Sequence, residues 1–82
     1  MEKETFEDVL KYLLPYYSFV VSSAAKGKKI DLKQFIADGI KKGKLEFSSN
    51  LKINFAELEK KKGKDWVKML KKQLVIFSET IQ

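Results

Sequence analysis

A Lys-Gly-Lys triplet occurs three times in this chain, at 26–28, 42–44 and 62–64. Glycine readily adopts the left-handed conformation that closes a helix, and a lysine in the last turn complements the negative end of the helix dipole. The triplets therefore predict where helices stop. The apolar spacing between them predicts where helices run.

In the first segment Phe6, Val9, Leu10, Leu13, Tyr17, Val20, Val21 and Ala24 recur three and four residues apart, one stripe of a 3.6-residue period. Thr5 is the expected N-cap, with Glu7 and Asp8 in the first turn, and Gly27 the closing residue. Pro15 removes one hydrogen bond and crowds the carbonyl of Lys11. Because the stripe keeps its phase across it, the expectation is one kinked helix, 5–26. Asp31 and Gln34 have the spacing of a capping box, opening a second helix, 31–42, with Leu32, Phe35, Ile36 and Ile40 inward.

Leu45, Phe47, Leu51 and Ile53 alternate on either side of Ser48-Ser49-Asn50. Alternation about a small polar turn predicts a short β-hairpin over 44–53, or else an extended loop dipping into the core. Asn54 and Glu57 repeat the capping-box spacing and start a third helix, 54–62. Asp65 caps a fourth, 65–80, whose inner arc is Trp66, Met69, Leu70, Leu74, Phe77 and Ile81. The fold class is thus mainly α, a four-helix single domain over 1–82, and α+β if the hairpin pairs.

Composition narrows the function. The chain has no histidine and no cysteine, so the usual base near neutral pH, the thiol nucleophile and the common transition-metal ligands are missing. Ser22, Ser23, Ser48, Ser49 and Ser78 stand in no motif that pairs a serine with a base. No phosphate-binding glycine loop or calcium loop is present. A catalyst built from lysine and carboxylates would need a pocket and strongly perturbed groups. The expectation is a non-enzymatic protein without cofactor, metal or small-molecule substrate.

Seventeen lysines and no arginine stand against eleven acids, for a net charge of +6. The first 24 residues carry −2 and the remainder +8. An anionic partner would therefore meet the C-terminal two-thirds. The candidate polyanion surface is Lys60, Lys61, Lys62, Lys64, Lys68, Lys71 and Lys72, extended by Lys41, Lys42 and Lys44. Such lysines also cap helices and keep a small domain in solution. Lysine binds phosphate as a flexible point charge and lacks the planar fork with which arginine reads guanine. Binding of this kind is salt-sensitive and poor in sequence preference. A helix-turn-helix over 55–74 fits badly, because Lys62, Lys64 and Lys72 occupy positions that motif fills with apolar residues.

The expected function is that of an accessory subunit or module engaging nucleic acid or a nucleoprotein complex. The alternative is a protein-binding adaptor or inhibitor, of the kind phages and mobile elements carry, docking through its apolar helix faces. Tyr16, Phe19 and Val75 are the interface residues for that reading, which also allows a homo-oligomer. Of the aromatic rings, Tyr12, Tyr16, Tyr17 and Trp66 are candidates for base stacking, although Tyr17 and Trp66 lie on inward stripes. Met1-Glu2-Lys3-Glu4 is acidic where a signal peptide is basic, and the longest charge-free run, residues 12–25, holds 14 residues against about 20 for a membrane span. The expected setting is intracellular, with no membrane partner.

Overall fold

The computed structural model describes residues 2–27 and 31–80. Four helices and one hairpin follow in the order α1 (Glu2–Ala25), α2 (Leu32–Lys42), β1 (Lys44–Glu46), β2 (Lys52–Asn54), α3 (Phe55–Lys62) and α4 (Lys64–Thr80). At 1.5 Å per residue α1 alone is about 36 Å long, and the molecule's longest dimension is 38 Å. The first helix is the strut on which the rest assembles.

Pro15 lies inside α1, and the helix continues through it. Lys11 and Pro15 are both exposed, so the carbonyl that loses its helical partner lies on the water side. Thr5 is not the N-cap, since the helix starts three residues earlier. Its first turns are rich in acids, which the positive end of the dipole favours. The last helix likewise begins at Lys64, leaving Asp65 in its first turn rather than at its cap.

The capping boxes form by half. The Asp31 carboxylate accepts the Gln34 N–H at 3.2 Å, but the Gln34 side chain turns outward to Asp38 at 2.9 Å. Asn54 accepts the Glu57 N–H at 3.2 Å and so both ends β2 and starts α3. All three triplet glycines have positive φ, as helix closure requires. Gly63, at φ 95° and ψ 163°, occupies a region essentially reserved for glycine, and this reversal turns α3 into α4.

The segment after α2 does pair. β1 and β2 run antiparallel with Lys44 opposite Asn54, Leu45 opposite Ile53 and Glu46 opposite Lys52. The Ser48 hydroxyl accepts the N–H groups of Asn50 and Leu51 at the turn. The Phe55 N–H donates to the Gly43 carbonyl at 3.0 Å, closing the base of the hairpin. A lone two-stranded hairpin is marginal in water. Here Leu45 and Ile53 are driven into the core, and Phe47 packs edge-on against both Tyr16 and Phe35 with ring centroids 5.2 Å apart.

Every element contributes to one core: Val9, Leu13, Tyr16 and Val20 from α1, Leu32 and Ile36 from α2, Leu45 and Ile53 from the hairpin, Phe55 and Leu58 from α3, and Trp66, Val67, Leu70 and Leu74 from α4. Two helices sit rotated from the expected stripes. On α1 the buried line passes through Tyr16 and Ser23, leaving Phe6, Val21 and Ala24 exposed. On α4 Val67 and Ser78 are buried while Met69 and Phe77 are half-buried. The cause is three-sided packing, since α4 lies against α1, α2 and α3 together. Ile81 and Lys28 lie outside the described residues. Among the described residues no helix is long and apolar enough to cross a membrane.

Candidate functional site

Most of the expected lysines lie on two adjoining surfaces that share Lys61 and Lys62. The corner between α3 and α4 presents Lys60, Lys61, Lys62 and Lys64, all exposed, and Lys68 and Lys72 continue along the outer face of α4. Lys60, Lys61 and Lys62 fill the last turn of α3, where they also offset the dipole. Lys71 is half-buried and holds its ammonium 5.3 Å from the centre of the Phe55 ring. It serves the packing of α4 on α3 as much as the surface. Lys41 and Lys42 occupy the last turn of α2.

The second surface surrounds a cleft of about 510 Å³ between the hairpin, α3 and the Tyr12 side chain of α1. Lys44 and Lys52 stand on the hairpin wall, and Lys61 and Lys62 on the α3 wall. Leu45, Ile53, Leu58 and Tyr12 form an apolar floor, with Glu46, Asn54 and Glu57 adding polar edges. A shallower depression of about 250 Å³ on the far side of β1 is bordered by Lys42 and Lys44. Of the expected lysines the cleft gathers Lys44, Lys61 and Lys62. Lys64, Lys68, Lys71 and Lys72 do not line it. Lys52 joins them although the helical lysine runs do not include it. Strand alternation carried that signal, because Lys44 and Lys52 both occupy outward positions of the paired strands.

Two of the rim cations are engaged. Lys62 lies 3.4 Å from the Asp8 carboxylate and 5.7 Å from the Trp66 ring centre, and Lys44 lies 3.9 Å from Glu46. The same Asp8 carboxylate accepts the Trp66 indole N–H at 2.8 Å. That bond, aided by Lys62 and Lys11 and opposed by partial burial, holds the Asp8 carboxyl below the usual carboxylate range. Lys52 and Lys61, one on each wall, form no ion pair among the described residues. Tyr12 packs edge-on against Trp66, centroids 5.4 Å apart. Burial, and then its hydrogen bond with Tyr16, push its phenol well above the ordinary tyrosine value, so it remains a neutral hydroxyl.

The apolar surface differs from expectation. Tyr16 is a core residue at 7% exposure, its hydroxyl donating to the Lys52 carbonyl at 3.1 Å. The ring is enclosed between Tyr12 and Phe47, which removes it from any docking face. Phe19 is half-buried against the core, and Val75 is exposed. Tyr17 stacks on Phe77 at 3.9 Å and lies half-buried. Besides Val75, the exposed large apolar residues among those described are Leu14 at 61%, Val21 at 52%, Phe6 and Ile76. Leu14 and Val21 are seven residues apart, so they share one face of α1.

What fold and site together define is a small, mainly helical domain that carries a lysine-rimmed cleft beside a lysine-covered helix. No protein-family model, no curated protein and no solved structure matches the chain.

Proposed function

We propose that this is a non-catalytic protein that binds nucleic acid, free or within a nucleoprotein complex, through the lysines of α3, α4 and the cleft. The observation that carries this reading is the set of exposed, unpaired cations. Lys60, Lys61, Lys64, Lys68 and Lys72 are all exposed, and the ion pairs among the described residues use only Lys44 and Lys62. Unpaired ammonium groups displace the counterions condensed on a phosphate backbone, and that release drives association. A surface made only of lysine fits phosphates without reading base edges.

Fluorescence anisotropy of labelled single-stranded DNA, duplex DNA and RNA, at about 50 and 200 mM salt, tests the reading. The reversal Lys64→Glu, Lys68→Glu and Lys72→Glu is preferred to one that includes Lys71, which packs on Phe55. The expected result is tight binding at low salt that weakens steeply at the higher salt. The triple reversal should lower affinity at least tenfold at low salt, and unchanged affinity would remove the proposal. A protein-docking function has its own support in exposed Leu14 and Val21. It becomes the better reading if no nucleic acid binds.

A further inference from the structure

Resting on the nucleic-acid reading, we infer that the cleft between the hairpin and α3 is a pocket for one unstacked base of a single strand. Its volume of about 510 Å³ is in the range of ordinary small-ligand sites. That accommodates a ring and its sugar but excludes a duplex. The half-buried Tyr12 ring is part of the floor, and bases stack on an aromatic ring whatever their identity.

The rim matches the backbone of a strand better than it matches a single acidic group. Lys52 on the hairpin wall and Lys61 on the α3 wall are the two rim cations without an ion pair. A nucleotide within a strand has a phosphate on either side of its sugar, so a strand brings two anionic groups to these two cations, whereas a lone carboxylate or phosphate brings one. Asn54, whose side-chain oxygen caps α3, keeps its amide hydrogens for the edge of a base. The α4 lysines lie outside the cleft and attract strand and duplex alike. The cleft adds the preference for single strands.

The experiment compares (dT)₆ with a duplex of similar charge, by anisotropy at about 50 mM salt, on the full chain and on the double variant Lys52→Gln, Lys61→Gln. Both side chains are exposed and form no ion pair among the described residues, so their neutralisation leaves the core intact; helical circular dichroism confirms the fold. The expected result is a single-strand preference of at least tenfold that falls to near one in the double variant. In ¹⁵N spectra, (dT)₆ should shift amides of 44–46, 52–54 and 57–62 most. Equal affinity for strand and duplex, or a preference that survives the double neutralisation, overturns the base pocket and leaves the electrostatic function standing. Absence of binding to either nucleic acid overturns both.

Discussion

Gly39 is not one of the positive-φ glycines; it lies within α2 and is buried. A methyl group added there would overlap the Leu45 side chain and reach the Lys44 backbone. The missing side chain is what lets β1 lie against α2. Alanine in an exposed helix interior gains up to about 1 kcal/mol over glycine. Leu45 is buried at 1% exposure and its side chain would have to shift, and overpacking of this kind costs about 1–3 kcal/mol. Gly39→Ala should therefore destabilise the protein by about 1–2 kcal/mol in urea unfolding, reading the balance of those two effects. A stabilised variant would show that the hairpin rides loosely on α2. An isolated glycine inside a helical pattern was visible in the sequence, but its partner was not, because contact between residues 39 and 45 depends on how the hairpin folds back. Tyr16 was illegible for the same reason. Periodicity places a residue on its own helix; which flank the neighbours cover is decided by tertiary packing.

Among the elements, those with local causes were the legible ones. Glycine closures, the Asp31 and Asn54 caps and the alternation about Ser48-Ser49-Asn50 all act within four residues, and each is found where the chain predicts it. The start of α4 was less legible, because the residue before Lys64 is Gly63, which has no side chain to cap with. Continuity of α1 across Pro15 followed from the phase of its apolar stripe, and the core supports it on both sides through Leu13 and Tyr16. The proline is thus tolerated rather than required. In a helix interior it costs about 3 kcal/mol relative to alanine. Pro15 is exposed and its ring fills no core space, so Pro15→Ala should stabilise the protein by about 1–3 kcal/mol. For a domain of this size that raises the melting temperature by at least roughly 4 °C. A lowered melting temperature would mean that a bend at Pro15 shapes the core.

At the scale of the molecule, the lysine excess and its bias towards residues 25–82 were legible in composition, whereas the cleft was not. It arises where Tyr12, the hairpin and α3 converge from distant parts of the chain, and only strand register places Lys52 opposite the lysines of α3. The same long-range closure joins the acidic N-terminal helix to the basic remainder through Asp8, which receives the Trp66 indole N–H and faces Lys62. This tie has a defined pH dependence. The folded state holds the Asp8 carboxyl below its ordinary value of 3.8, so it favours the charged form. The contribution is complete above that ordinary value and is lost as pH falls through the lowered one. Full acidification also neutralises all eleven acids and leaves seventeen lysines repelling one another. That general loss affects any variant, so the informative quantity is a difference. In urea unfolding followed by helical circular dichroism, the native chain should exceed Asp8→Ala in stability by a constant margin from about pH 7 to about pH 5. The margin should narrow as pH falls through the lowered value and acid protonates Asp8, while added salt lifts both proteins by screening the lysines. A margin that persists undiminished in acid would mean that Asp8 acts through packing, and that charge does not bind the two halves of the fold.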